Sequence, residues 1–418
     1  MRQILIYGRG LNAEEYCRYL RGQGKGGELT CFVVTKLNGQ GEKYCGLPCL
    51  EIDDALAKFP EAEIHLALQE KYHGEVIKLL KTRGREPKEV IGLRRMTEIL
   101  GEAARTQIKK ALPDIQIQQS SYDYTMQQIR DKGSEEHFSF YPMTQVPLSE
   151  EDLQSLAMTV KSFAGWWGQG RFKGSREDAA TLEEQDLFLA EATYGEAAKV
   201  HDPDRPSSCM HTVMGGSAQF AGRRNSGMYY DDEGENISPY HPLYSELSVI
   251  YWLWKNAPEA RYLGLCHYRR HFLLTEKILA GIKSGEADVI LTPPRLTFPS
   301  VERCFTESVF SNVNPEDYEL MLKLIKEQDG SCGRFAEEFL RGQVHFPNNM
   351  VIAKRDIYRA YAEFIFSVLE RMRKIYEEKN IKRPDRCLGY LGELLTTIYF
   401  VYHRKEWRTA FADYRLLT

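Results

Sequence analysis

Four consecutive side chains, His267, Tyr268, Arg269 and Arg270, follow directly on a short apolar run, Tyr262-Leu-Gly-Leu-Cys266. A run of that length and composition predicts a buried β-strand. In open α/β sheets, ligands bind just outside the carboxyl ends of the strands. Two guanidinium groups there suit an anionic ligand, above all a phosphate, because their donor forks match its oxygens. A solvated basic turn is the plainer reading of the same four residues. Adjacent residues of a strand face opposite sides, so one arginine of the pair is expected to point inward and the other to be structural.

Further polar groups stand at comparable places. His345, Asn348 and Asn349 immediately precede the apolar run Met350-Val-Ile-Ala353. Imidazole and amide groups suit hydrogen bonds to a polar ligand, whereas a turn formed by the Asn pair is the alternative. Asp231-Asp232-Glu233-Gly234-Glu235-Asn236 is the densest acidic cluster near the cationic run. Asp231 and Asp232 are its candidate ligands for a hard divalent cation, with a solvated acidic loop as the preferred account.

The element that must position the cationic strand end lies just before it. Leu243, Leu247, Ile250, Tyr251 and Trp254 recur at helical spacing and predict one continuous helix from Pro242, stopped before Pro258. Glu246 falls off this apolar stripe, either as a plain exposed carboxylate or as a group that orients the strand end. Ala287–Leu291 predicts a further strand, and Asn314-Pro315-Glu316-Asp317 is a helix start. The polar, glycine-rich stretch from Ala198 to Gly234 is expected to form long loops.

Residues 1–100 alternate strand and helix patterns and predict a Rossmann-like parallel-sheet domain. Ile4–Tyr7 is its first strand, Gly8-Arg9-Gly10 the turn, and Asn12 the expected helix cap. Gly8 and Gly10 are the candidate nucleotide-binding glycines of this domain. The second strand ends in Val34-Thr35, with no acidic residue to hold a ribose hydroxyl, so NAD is disfavoured. Residues 101–183 read as a helical linker region, and residues 184–418 as a second α/β domain. Within the linker, Gly165-Trp166-Trp167-Gly168-Gln-Gly170 is either a loop packed on a neighbour or a sugar-stacking surface, packing being preferred.

With 418 residues, 43% hydrophobic and 27% charged, the chain has the composition of a soluble globular protein. A net charge of -4 favours neither nucleic acid nor an anionic membrane. Its nine cysteines are odd in number and scattered; Cys17, Cys31, Cys266 and Cys387 read as core residues, and Cys45 and Cys49 lack zinc spacing. The opening MRQILIYG reads as a strand and not a signal peptide, and no apolar run has membrane-spanning length. A cytoplasmic protein that meets the inner face of the membrane only peripherally is the expectation.

The central stretch also carries a resemblance. Glu235-Asn236-Ile237-Ser238, Tyr244-Ser245-Glu246-Leu247, Tyr251-Trp252-Leu253-Trp254-Lys255-Asn256 and Tyr262–Phe272 resemble the signature of the DUF4422 family of bacterial capsule and exopolysaccharide glycosyltransferases. His345–Lys354 and Leu388–Leu395 resemble two further segments of that family, except that Leu394 stands where the family has arginine. The resemblance covers about residues 184–418 and says nothing of the first 180.

The resemblance implies a GT-A-like domain that moves a hexose from a nucleotide sugar to a growing surface polysaccharide. A UDP-sugar is the default donor, UDP-galactose and UDP-galactofuranose among them, and a lipid-linked glycan is the expected acceptor. Such a reaction needs stabilisation of the leaving diphosphate and, if inverting, a base for the acceptor hydroxyl. Most GT-A enzymes bind a divalent cation through Asp-x-Asp, where this chain has His267–Arg270. Arginine charge is therefore expected to do part of the metal's work, with manganese or magnesium left open. Asn236 and Ser238 match the family and are candidates for ligand or loop-shaping contacts. Glu393 is the candidate base, on a helical face shared with Gly389 and Thr397 that leaves room for substrate. A helix-surface glutamate, or a buried partner for an arginine such as Arg386, is the alternative, and Asp385 is the second candidate base. Two other functions stay open: a nucleotide-sugar-modifying oxidoreductase or epimerase using the N-terminal glycine turn, and a non-catalytic nucleotide-sugar-binding protein.

Overall fold

The tetrapeptide Ile4–Tyr7 buries all four side chains as strand β1. Around it, β2 (Leu29–Val34), β3 (Lys43–Tyr44), β4 (Leu47–Glu51), β5 (Glu63–Leu66) and β6 (Glu89–Val90) form a sheet of order β3-β4-β2-β1-β5-β6. All neighbours are parallel except β3, which pairs antiparallel with β4. The chain winds outward from β1 through β2 and β4, then returns to its other side with β5 and β6, so the strand order reverses beside β1 as in doubly wound sheets. Gly8 follows β1 with φ +139°, and a Cβ there would lie 2.4 Å from the Ala67 carbonyl oxygen. Asn12 is not the helix cap. The helix Leu11–Gly22 starts one residue after Gly10, and Asn12 Nδ2 instead donates to the Leu68 carbonyl at 3.1 Å, tying the turn to the end of β5.

The computed structural model describes residues 2–37, 43–68, 72–92, 95, 103, 106–113, 117–118, 138–140, 148–167, 182–195, 208–220, 224–297, 300–307 and 313–417. The chain divides into two compact units, one of residues 1–114 and 141–153, the other of residues 115–140 and 154–418. The linker expected at 101–183 is thus shared between them. Its helix Glu150–Trp167 buries Trp166 edge-on against Phe346 and Phe411, while Tyr124–Gln128 and Gly168–Gly170 lie outside the described residues.

In the second unit, β7 (Ile117–Gln118) and β8 (Phe138–Phe140) precede β9 (Leu187–Tyr194), β10 (Met210–Gly215), β11 (Tyr229–Tyr230), β12 (Tyr262–His267), β13 (Arg270–Phe272) and β14 (Val289–Leu291). Then come β15 (Arg295–Leu296), β16 (Val344–His345), β17 (Val351–Lys354), β18 (Thr409–Phe411) and β19 (Tyr414–Leu416). The large sheet runs β11-β10-β9-β12-β17-β14-β18, with β13 pairing β12 and β19. From β11 to β12 all pairs are parallel; β17 runs antiparallel between β12 and β14. A small sheet, β16-β15-β8-β7, sets Arg295 opposite His345. Two strands, β10 and β11, lie where long loops were expected, because their alternating buried residues complete the sheet edge beside β9. The mixed α/β class is as the sequence indicates.

The helix expected from Pro242 is broken. His241–Tyr244 is one short turn, Ser245 adopts φ +53°, and the helix Leu247–Asn256 begins afresh after Glu246. The helix Cys387–Tyr402 causes the break by close approach. A Cβ on Gly389 would lie 3.2 Å from the Tyr244 carbonyl, and one on Gly392 would lie 2.5 Å from a Leu247 methyl. The small residues along this helix admit the 241–247 segment and not, at Gly389, a substrate.

Candidate active site

Strand β12 carries the cationic run to the carboxyl edge of the large sheet. Because β17 runs the other way beside it, the residues just before Val351 reach the same edge. His267 and Asn348, 81 positions apart, meet there: His267 Nε2 donates to the Asn348 carbonyl at 2.6 Å. This bond fixes the proton on Nε2. Asn348 and Asn349 both have positive φ, +71° and +52°, a strained pair of the kind that functional loops retain. The Nδ2 of Asn348 is buried without a hydrogen-bond partner among the described residues.

The break at Ser245 turns Glu246 inward, and its residue is 8% exposed. Asn349 Nδ2 donates to Glu246 Oε1 at 2.8 Å and to the Gly389 carbonyl at 3.2 Å, while its Oδ1 accepts from Thr396 Oγ1 at 3.1 Å. With both amide hydrogens committed and the group fully buried, Asn349 is a brace between three elements and not the ligand contact expected. Burial opposes the Glu246 charge, but His267, the Asn349 amide and the Ser245 hydroxyl outweigh it and hold this carboxyl below its ordinary range. Burial pushes His267 down, only partly offset by Glu246, and Arg270 and Arg386 push it down further.

Glu393, half-buried in the helix Cys387–Tyr402, faces the same space. Burial and the neighbouring Glu246 charge push it up to about 7, against the opposing pull of Arg295, the Asn348 N–H and Arg270. Two carboxyls are therefore driven apart, one kept ionised and one poised near neutrality, which is the pattern that separates acid–base from electrostatic roles. Arg270 is half-buried and close enough to act on both His267 and Glu393. Arg269 is exposed, its guanidinium 5.2 Å from the centroid of the half-buried Tyr268 ring.

Several expected contacts lie elsewhere. His345 is 4% exposed, edge-on to Phe305 and 2.9 Å from Thr297 Oγ1, so it is a wall residue behind Arg295 and not a sugar contact. Asn236 binds backbone only, donating to the Asp232 and Gly234 carbonyls and accepting from Ser238 N–H. Ser238 is fully buried and donates to Asp231 at 2.5 Å. These two residues shape the loop. Asp231, also fully buried, accepts from the N–H groups of Gly216 and Ser217 at 2.8 and 3.0 Å and from the hydroxyl of Ser217 at 2.7 Å. Asp232 is taken by Ser217 and Arg224. The acidic cluster is thus a loop clasp in place of a metal site, and among the described residues no three His, Cys, Asp or Glu side chains stand together as a metal cage. Asp231→Ala leaves three donors, the Gly216 and Ser217 N–H groups and the Ser238 hydroxyl, without their acceptor and should cost about 2–4 kcal/mol of stability, read as a lowered urea midpoint. An unchanged midpoint would show that the clasp carries no stability.

Asp385 is exposed and sits about two helical turns before Glu393, so the second candidate base is outside the cluster. Arg386, in a left-handed conformation at φ +66°, bears on His267 and His241. The guanidinium that the sequence reading missed is Arg295. It follows Pro293-Pro294 at the carboxyl end of β14, and that proline pair was the available signal. Glu246 was missed as a buried group because the break at Ser245 has no glycine or proline to announce it.

No curated protein matches the chain. Among solved structures it is similar to the apo structure of the WbbM bifunctional glycosyltransferase, at 20% identity and a TM-score of 0.45, covering 56% of this chain and 45% of that one. The chain therefore spans less than half the length of that protein. Residues 200–405 match the family described as Domain of unknown function (DUF4422). The match falls within the C-terminal half of the chain and leaves residues 1–199 unmatched.

Proposed function

We propose that the chain is a glycosyltransferase that moves a hexose from a nucleotide sugar, with a UDP-sugar as first choice, onto a growing surface polysaccharide whose acceptor end is lipid-linked. The catalytic domain is GT-A-like and corresponds to residues 184–418. The observation that carries this reading is the convergence of Arg270, Glu393, Glu246, His267 and the free Asn348 amide at one sheet edge. Arg270, with Arg295 behind it, supplies positive charge where the leaving diphosphate gathers negative charge. Glu393 takes the proton of the acceptor hydroxyl, its raised pKa suiting a base at neutral pH. Glu246 and His267 position the loop that carries Asn348, and the Asn348 amide is free to donate to a donor-sugar hydroxyl. A divalent cation, if bound with the donor, would add positive charge at the leaving diphosphate beside that of Arg270.

Among the described residues no helix is long and apolar enough to cross a membrane. The test is release of nucleoside diphosphate from a panel including UDP-glucose, UDP-galactose and UDP-galactofuranose, with a glycolipid acceptor extract, with and without manganese. Acceptor-dependent release from one donor is expected. Absence of release from every donor, with or without the ion, contradicts the proposal.

A further inference from the structure

A cavity of about 440 Å³ opens in the N-terminal unit, lined by none of the residues of the site described above. Its walls come from Gly8 and Arg9 after β1, Thr35 and Lys36 after β2, and Tyr72 and Glu75 beyond β5. These are the carboxyl ends of the three strands that flank the reversal of strand order, the place where open α/β sheets bind ligands. The volume lies within the range of small-molecule sites.

The lining states the ligand's chemistry. Two cationic groups, Arg9 and Lys36, border the cavity. Arg9 is held in place by Tyr44, whose ring centroid is 5.3 Å from the guanidinium carbon and which itself packs edge-on against Phe32. Where a dinucleotide site carries a carboxylate for the ribose, Tyr7 OH and Thr35 Oγ1 pair with each other at 2.7 Å and Lys36 follows. Tyr72 is 45% exposed and offers an aromatic face to a base, and Glu75 offers a carboxylate to ribose hydroxyls.

We propose that this cavity is a second nucleotide site that takes a nucleoside diphosphate, with Arg9 and Lys36 on the phosphates and Tyr72 under the base. One aromatic face and a cationic end to β2 fit a single nucleotide and not NAD. The site does not depend on the transferase reading.

The test is equilibrium titration of the full chain with UDP, ADP and NAD+, comparing wild type with Lys36→Ala, Arg9→Ala and Arg270→Ala. Lys36 is exposed, so its variant keeps the fold and serves as the cleaner probe. One of the two diphosphates is expected to show a binding step that weakens about tenfold in Lys36→Ala and in Arg9→Ala and is unchanged in Arg270→Ala. That outcome holds whether or not Arg270 affects a separate step. Diphosphate binding indifferent to Lys36 overturns the proposal, as does NAD+ binding more tightly than either diphosphate through Lys36.

Discussion

Glu393→Gln is expected to lower the rate of transfer by about a thousandfold while leaving nucleotide-sugar affinity within about twofold. The amide keeps the shape of the side chain but cannot take a proton, and general-base catalysis typically contributes 10²–10⁴-fold. Steady-state transfer and equilibrium donor binding, measured on the same preparation, check both halves. The pH dependence adds an independent sign. Burial and Glu246 set the Glu393 carboxyl at about 7, and the base works only when deprotonated. Transfer by the wild type should therefore fall about tenfold per pH unit below 7 and level off above it. Stability moves the other way. A carboxyl whose folded pKa is raised favours the folded state below its unfolded pKa, and that advantage is lost as pH rises through the folded value. At pH 8 the wild type carries a buried, repelled charge that the glutamine variant lacks. The variant should be more stable there by up to about 3 kcal/mol, the ceiling set by the size of the shift. A variant that retains transfer, or that is less stable at pH 8, is incompatible with Glu393 as the base.

The second large effect belongs to Arg270. Arg270→Ala should weaken nucleotide-sugar binding by about tenfold to a hundredfold, since a hydrogen bond to a charged group is worth about 1.5–3 kcal/mol. It should also move the Glu393 titration upward, because Arg270 is one of the groups that oppose its raised pKa. The pH profile of the residual activity reads this shift. Arg269→Ala should change affinity by less than about threefold, because its side chain is exposed beside Tyr268. Equal losses in the two variants would assign the effect to general positive charge at the strand end and not to Arg270 in the site.

The sequence made the local half of this site legible. The run Tyr262–His267 has the length and apolarity of a buried strand, but the strand ends there: Tyr268 and Arg269 form a turn, and antiparallel pairing with His267, not strand alternation, brings Arg270 back while Arg269 stays exposed. The parallel pairing of the first sheet follows from the alternation of elements in the same way. What was not legible is whatever depends on distant close approach. Nothing near Ser245 signals a positive φ; Gly389, far along the chain, imposes it, and the same contact buries Glu246. The acidic run Asp231–Glu235 looked like solvated carboxylates because its donors, Ser217 and the Gly216 N–H, belong to a segment with no motif of its own. Asn349 and His345 carried the polar character expected of ligand contacts, but Glu246 and Thr297 claim that character internally. Arg295 escaped notice because β15 is two residues long and leaves no periodic trace.

The central claim is that the donor binds at the β12–β17 edge. Hydrogen exchange of the full chain, followed by mass spectrometry with and without each nucleotide sugar of the panel, tests it most directly, since ligand contacts suppress local opening. Protection is expected in the segments around His267–Phe272, His345–Met350 and Leu388–Thr397 with one donor of the panel. Protection confined to the N-terminal unit, or none in these three segments with any donor, would contradict a donor site at this edge.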